Sequence, residues 1–125
     1  MSGGVYQRIL VGTDGSATAA VAVDRAAEVA RATGATLTIL SVGARAEAVV
    51  AAESRRVSAS GVQVFGLAEK GDPASVLVDT AQSGGFDLLV VGNKGMTGAS
   101  RFFLGSVPNK ISHHSPCALL IVRTT

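Results

Sequence analysis

Asp87-Leu88-Leu89-Val90-Val91-Gly92-Asn93-Lys94-Gly95, then nine residues, then Gly105-Ser106 is the stretch that decides how this chain folds. Its first five residues form a near-continuous apolar run of strand length, as expected of a strand covered on both faces of a parallel sheet. Gly92 stands where such a strand leaves the sheet, the edge at which open α/β sheets hold their ligands. With no Cβ at Gly92, Gly95 or Gly98, the backbone can pass close to a ligand and turn successive N–H groups onto phosphate oxygens. Ser106 is expected to N-cap a following helix and Pro108 to sit in its first turn. The unpaired N–H groups and positive dipole end of that helix would then face the cradle. The whole stretch reads as a phosphate cradle and points to nucleotide binding.

Outward from it, strand-like and helix-like segments alternate, the pattern of an α/β domain. Arg8-Ile9-Leu10-Val11 is read as strand one and leads into Gly12-Thr13-Asp14-Gly15-Ser16. Ala20, Val23, Ala27 and Ala30 then recur at helical spacing until Gly34 stops the helix. Thr36-Leu37-Thr38-Ile39-Leu40-Ser41-Val42 is strand two, and an Ala-rich helix is expected over residues 44–58. Val62-Gln63-Val64-Phe65-Gly66-Leu67 alternates as strand three. Asp72-Pro73 opens a third helix with a cap and a proline at its first position, and Gly84-Gly85 closes it. After strand four (residues 87–91) and the helix near Ser106, Ala118-Leu119-Leu120-Ile121-Val122 is strand five. Right-handed crossovers would arrange five parallel strands as a doubly wound sheet in the order 3-2-1-4-5, with helices on both faces. The switch point of that order lies between strands one and four, so Asp14 and the segment from Gly92 to Ser106 would line one crevice.

Composition limits the alternatives. With 125 residues and 47% hydrophobic content, the chain is expected to form one domain over residues 1–125. No apolar stretch is long enough to span a bilayer, and the N-terminus lacks a basic segment followed by an apolar one. The lone Cys117 agrees with a reducing compartment and is read as a small buried hydrophobe. These features point to a cytoplasmic protein without a membrane partner. A net charge of +2 from dispersed basic residues, no Trp and one Tyr give neither a basic stripe nor stacking platforms, so no nucleic-acid partner is expected.

The Gly-x-x-Gly, nine-residue spacer and Gly-Ser pattern of Gly92, Gly95, Gly105 and Ser106 resembles that of the universal stress protein family, ATP-binding type. Val11-Gly12-Thr13-Asp14-Gly15-Ser16, Leu104-Gly105-Ser106-Val107 and His114-Ser115-Pro116-Cys117 are similar to it as well, so that the resemblance covers essentially the whole chain. It implies an adenine-nucleotide-binding regulatory protein of the stress response, with ATP, with or without Mg2+, as the first ligand and AMP or cyclic AMP as alternatives. By the same resemblance Asp14, with its neighbours Gly12 and Thr13, sits by the adenosine, and the Val42 backbone pairs with the adenine edge. Gly92 and Gly95 shape the ribose and phosphate pocket, while Gly105, Ser106 and Val107 supply phosphate donors. A homodimer through antiparallel pairing of strand five is implied too. The connection between Val42 and Gln63 is shorter than in many relatives, which bears on the lid over the adenine pocket.

Other readings fail on particular residues. No Gly-Lys pair supplies a kinase-type or ATPase-type phosphate loop, no Gly-x-Gly gives a dinucleotide fingerprint, and no Gly-x-Ser-x-Gly gives a hydrolase elbow. A phosphoacceptor receiver domain is read as sharing this topology, but it would want an acidic pair after strand one and an aspartate ending strand three. Asp14 stands alone, and strand three is read as ending in Gly66-Leu67-Ala68. A flavodoxin-like electron carrier is the remaining alternative, carried by Thr13-Asp14-Gly15-Ser16-Ala17-Thr18, with few aromatics to sandwich a flavin. Lys94 is a candidate phosphate contact and Arg101 a weaker one. Asp14 is expected to serve the ligand rather than the fold, although a turn or capping role is the alternative. His113 and His114 lack the spacing of a metal pair on one helix face, so no metal site is expected. No residue is assigned as catalytic, and the protein is read as a nucleotide-binding switch.

Overall fold

The computed structural model describes residues 4–93 and 106–124, with backbone alone over 106–109. In chain order it forms β1 (Arg8–Gly12), α1 (Ala17–Thr33), β2 (Thr36–Val42), α2 (Ala46–Ser58), β3 (Val64–Glu69), α3 (Pro73–Ser83), β4 (Leu88–Gly92), α4 (Ser106–His114) and β5 (Ala118–Val122). All four pairings are parallel and the sheet order is β3-β2-β1-β4-β5. The expected doubly wound sheet is therefore present. The same order separates the chain from the flavodoxin and receiver-domain arrangement, 2-1-3-4-5. Receiver domains do not share this topology, and both readings fall on the sheet itself.

One layer of core lies on each face of the sheet. Ile9, Val11, Leu37, Ile39, Leu88 and Val90 point one way, against α1 and α2, while Leu10, Leu40, Leu89 and Val91 point the other way, against α3 and α4. β1 and β4 lie inside the sheet, so both of their faces are covered and their sequences are apolar apart from the exposed Arg8 that opens β1. α1 buries Ala19, Ala22, Val23, Ala26, Ala27 and Ala30, a stripe at helical spacing. Ala20, expected on that stripe, is only half-buried. Small side chains along the stripe bring the helix axis close to the sheet.

Local chemistry sets most helix ends. The Ser16 hydroxyl accepts from Ala19 N at 3.1 Å and caps α1, and Gly34 terminates it in the left-handed conformation. Asp72 accepts from Ser75 N at 3.0 Å with Pro73 following, as expected, and that donation holds the Asp72 carboxyl below its ordinary pKa. α2 begins at Ala46 rather than at residue 44, and β4 runs one residue later than expected. Strand three is displaced further: Val62 and Gln63 precede the ladder, and β3 ends on Glu69, which pairs in register with Val42. α4 includes Ser106 as its first residue, so Ser106 is not the residue before the helix, and Pro108 keeps its place in the first turn. Among the described residues, no helix is long and apolar enough to cross a membrane.

β3 is an edge strand with little cover on the α3 side, where Phe65 is 48% exposed. On the other face an ion-pair cluster ties α1 to α2: the Arg56 guanidinium donates to Asp24 Oδ1 and to Glu53 Oε1, each at 2.6 Å. Arg56 and Asp24 keep much of their surface in water, so the cluster orients α2 more than it stabilises the fold.

Candidate functional site

β1 ends two residues short of β2. Gly12 pairs with Leu40, and the last ladder bond between these strands runs from Thr13 N to Leu40 O at 3.0 Å. The chain then leaves the sheet plane. Thr13 is 0% exposed, and each of its polar groups is engaged: its carbonyl accepts from the buried Ser41 hydroxyl at 2.7 Å, and its own Oγ1 accepts from Gly15 N at 3.1 Å. Asp14 follows, half-buried, with Oδ1 accepting from Ser16 N at 2.9 Å. This is an Asx turn, which shapes the loop and presents Ser16 to α1. The expectation that Asp14 serves only the ligand needs correction, since one carboxylate oxygen holds the turn. Among the described residues Oδ2 has no hydrogen-bond partner.

Backbone alternation along β2 determines what faces this turn. Thr36 N donates to Gln7 O and Leu40 O accepts from Thr13 N, so even-numbered residues address β1; Leu37 N and Gly43 N donate to Gln63 O and Glu69 O, so odd-numbered residues address β3. Val42 is even-numbered and lies beyond the last β1 rung. Its N–H and C=O therefore face the mouth left by the departing turn, an adjacent donor and acceptor pair at the carboxyl edge of the sheet.

Gly92 closes the other side. Val11 pairs with Val90, which brings the ends of β1 and β4 to one level. Asn93 N donates to Val122 O at 2.9 Å, and Asn93 Oδ1 accepts from Thr124 N and Thr124 Oγ1 at 2.8 and 2.9 Å. Asn93 thus fixes where the chain leaves β4. Sequence reading passes over it as a spacer inside the Gly-x-x-Gly motif, and over Ser41 as a strand residue. Gly12, Thr13, Asp14, Val42 and Gly92 stand at the carboxyl ends of the three adjacent strands β2, β1 and β4. Lys94, Gly95, Gly98, Arg101 and Gly105 lie outside the described residues, and Ser106 and Val107 are described by their backbone in the first turn of α4.

α2 supports the turn from above. A Cβ on Gly15, whose φ is +83°, would meet Val49 Cγ2 at 2.8 Å, so that only glycine allows both this turn and this helix position. The connection from β2 to α2 is three residues, Gly43, Ala44 and Arg45, closed by Ala46 N donating to Gly43 O at 3.1 Å.

Elsewhere, burial pushes the Cys117 thiol above its ordinary pKa, which keeps it protonated at neutral pH and a poor nucleophile. His113 and His114 are exposed at the end of α4. Among the described residues, no group of three or more His, Cys, Asp or Glu could hold a metal ion.

The sequence model of the universal stress protein family matches residues 5–55 and 41–123. This chain belongs to that family. It is 31% identical over 150 residues to universal stress protein YxiE of Bacillus subtilis, covering 95% of this chain and all of that one. It is 35% identical over 144 residues to universal stress protein Rv1636 of Mycobacterium tuberculosis, covering 96% and 98%. A crystal structure of a universal stress protein in complex with cAMP superposes with a TM-score of 0.83 at 39% identity, covering 96% of this chain and 98% of that one. In the Rv1636 alignment this chain fills only about 120 of the 144 positions, so about two dozen have no counterpart here. Residues 41–55 are matched twice by the family model, as if they served on both sides of a segment this chain lacks.

Ser16→Ala should lower stability by about 1 kcal/mol through loss of the α1 cap. Asp14→Ala should cost about 0.5–1.5 kcal/mol through loss of the bond from Ser16 N, and Asp14→Asn, which keeps an acceptor, should cost less. Urea denaturation followed by circular dichroism measures all three; an Asp14→Ala midpoint equal to the parent's would remove the turn role.

Proposed function

We propose that the protein binds an adenine nucleotide at the switch point and acts in the stress response as a binding switch rather than an enzyme. The observation that carries this reading is the Val42 N–H and C=O pair facing the mouth beside Asp14, since such a pair complements the amine and ring nitrogen of the adenine edge. The cAMP complex of the structure 39% identical to this chain supports it. ATP is the first ligand, with or without Mg2+, and AMP and cyclic AMP are the alternatives. On this reading Gly12, Thr13 and Asp14 hold the adenosine end, and Gly92 and Gly95 shape the ribose and phosphate pocket. Gly105, Ser106 and Val107 donate to phosphates, with Lys94 as an added cation. Cys117 as a protonated, half-buried thiol suits a cytoplasmic setting.

Gly105→Val should abolish ATP binding without unfolding the domain, because a branched side chain blocks close approach of backbone to phosphate. Titration calorimetry with ATP, AMP and cyclic AMP, beside a thermal melt, checks this. Unchanged ATP affinity in the folded variant refutes the cradle, and mass spectrometry of nucleotide released from gently purified protein identifies the ligand held.

Efficient phosphoryl transfer needs cationic or metal charge at the transferred group and an oriented nucleophile. Asp14 is the only acidic residue of the two matched motifs, and it stands at the adenosine end of the proposed ligand, far from a γ-phosphate. Phosphate release from ATP and Mg2+ should therefore be far below about 1 per second. A rate near that value or faster, lost in Gly105→Val, would make the protein an enzyme.

A homodimer through β5 completes the proposal. β5 is an edge strand with Leu119, Leu120 and Ile121 only half-buried, an aggregation hazard unless covered. An isologous contact between two copies covers it. Light scattering at micromolar concentration should give a dimer, and Ile121→Pro should shift it toward monomer by removing an N–H from the edge; a monomeric parent chain would rule this out.

A further inference from the structure

Among the described residues, the edge of the proposed adenine site beyond Val42 lies open at Gly43. The β2–α2 connection is three residues long where relatives such as Rv1636 carry about two dozen more positions in all, and it falls within the doubly matched residues 41–55, which span the end of β2 and most of α2. Gly43 turns there with φ +125°, and among the described residues, its two chain neighbours aside, no atom lies within 4 Å of where its Cβ would stand. Beside it a cavity of about 430 Å³ opens between Gly43, Ala44 and Glu47 on one side and Ala68, Glu69 and Lys70 on the other.

Chain direction connects this cavity to the base. Within one residue the N–H precedes the C=O, so adenine pairing with Val42 sets its ring nitrogen against the N–H and its exocyclic amine against the carbonyl, the downstream group. The amine has two hydrogens and the carbonyl takes one. Its second hydrogen points onward along the chain, past Val42 toward Gly43 and Ala44. A substituent replacing that hydrogen would run out over a glycine with open space above it and into the cavity.

We infer that this connection forms a subsite for adenine nucleotides extended at the exocyclic N6 amine, a subsite that rests on the proposed pairing of adenine with Val42. Glu47 and Glu69 against Lys70 leave the cavity one negative charge in excess, so a cationic end group suits it best. All six residues named are solvent-exposed, which keeps the subsite open to a long substituent. Ala68 lies on the face of β3 that looks toward α2, so a large side chain there would fill the cavity while leaving the mouth at Val42 unchanged.

Calorimetry with AMP and with N6-(6-aminohexyl)-AMP, on the parent chain and on Ala68→Trp, tests this directly. The extended nucleotide should bind the parent within threefold of AMP or tighter. It should weaken at least tenfold in Ala68→Trp, where AMP affinity stays within twofold. AMP binding with the extended nucleotide at least tenfold weaker in the parent overturns the subsite and leaves the adenine reading intact. Equal binding of the extended nucleotide to both chains also overturns it, because its tail then runs elsewhere. Failure of AMP, ATP and cyclic AMP alike to bind the parent overturns the adenine reading itself and the subsite with it.

Discussion

The buried Thr13 is the constraint on which the site depends. It stands where β1 must stop, and its three polar groups are satisfied by Leu40 O, the Ser41 hydroxyl and Gly15 N. A residue this far inside that left any of them unpaired would cost about 1–3 kcal/mol per group, a large share of a small domain's stability. The bonds come as a set, and they admit one path out of the sheet. Because the chain turns away at Thr13, β2 runs on to Val42 with no partner on its β1 side, the Asp14 carboxylate comes to the edge, and Ser16 arrives where it can cap α1. The mouth is a consequence of where a single strand is made to end.

Features held together by close neighbours along the chain are legible in the order of residues alone. Ser16, Asp72-Pro73 and Gly34 mark helix ends through bonds that span three to five residues, and the apolar runs at β1 and β4 announce strands buried in the sheet, as that at β5 announces its half-buried edge. Strand three is misplaced by two residues in the sequence reading because alternation begins at Val62, which is buried although it lies before the ladder. Its register is set by pairing with β2, which carries Glu69 into the strand opposite Val42. Asn93 and Ser41 escape notice for a related reason. Their bonds join residues 31 and 28 positions apart and leave no periodic trace in the sequence.

The three-residue β2–α2 connection also fixes where α2 starts. A three-residue link holds the start of α2 directly over the turn, where Val49 meets Gly15 and Arg56 reaches Asp24 on α1. The turn is therefore clamped between the sheet below and α2 above. Little conformational entropy remains for a ligand to remove there, so the adenosine end of the proposed site is preorganised. A ligand shifts an equilibrium only by binding two states differently, so on the proposed reading a turn held this closely contributes less to any conformational response than the segment after Gly92.

On the proposed reading, that division of labour places selectivity among adenine nucleotides at the cradle. ATP, AMP and cyclic AMP share base and ribose, so pairing with Val42 and contact with Asp14 cannot tell them apart. Backbone N–H groups can, because each one that meets a charged phosphate oxygen forms a charge-assisted bond worth about 1.5–3 kcal/mol, or roughly one to two powers of ten in affinity. One such donor, gained or lost, outweighs the differences the adenosine end can generate. On the proposed reading, nucleotide choice falls to the segment that follows Gly92, whose point of departure Asn93 fixes by binding the end of β5. Since β5 is also the proposed dimer edge, a change in how two copies pair would reach the cradle through Thr124 and Asn93, a path of hydrogen bonds that is already in place.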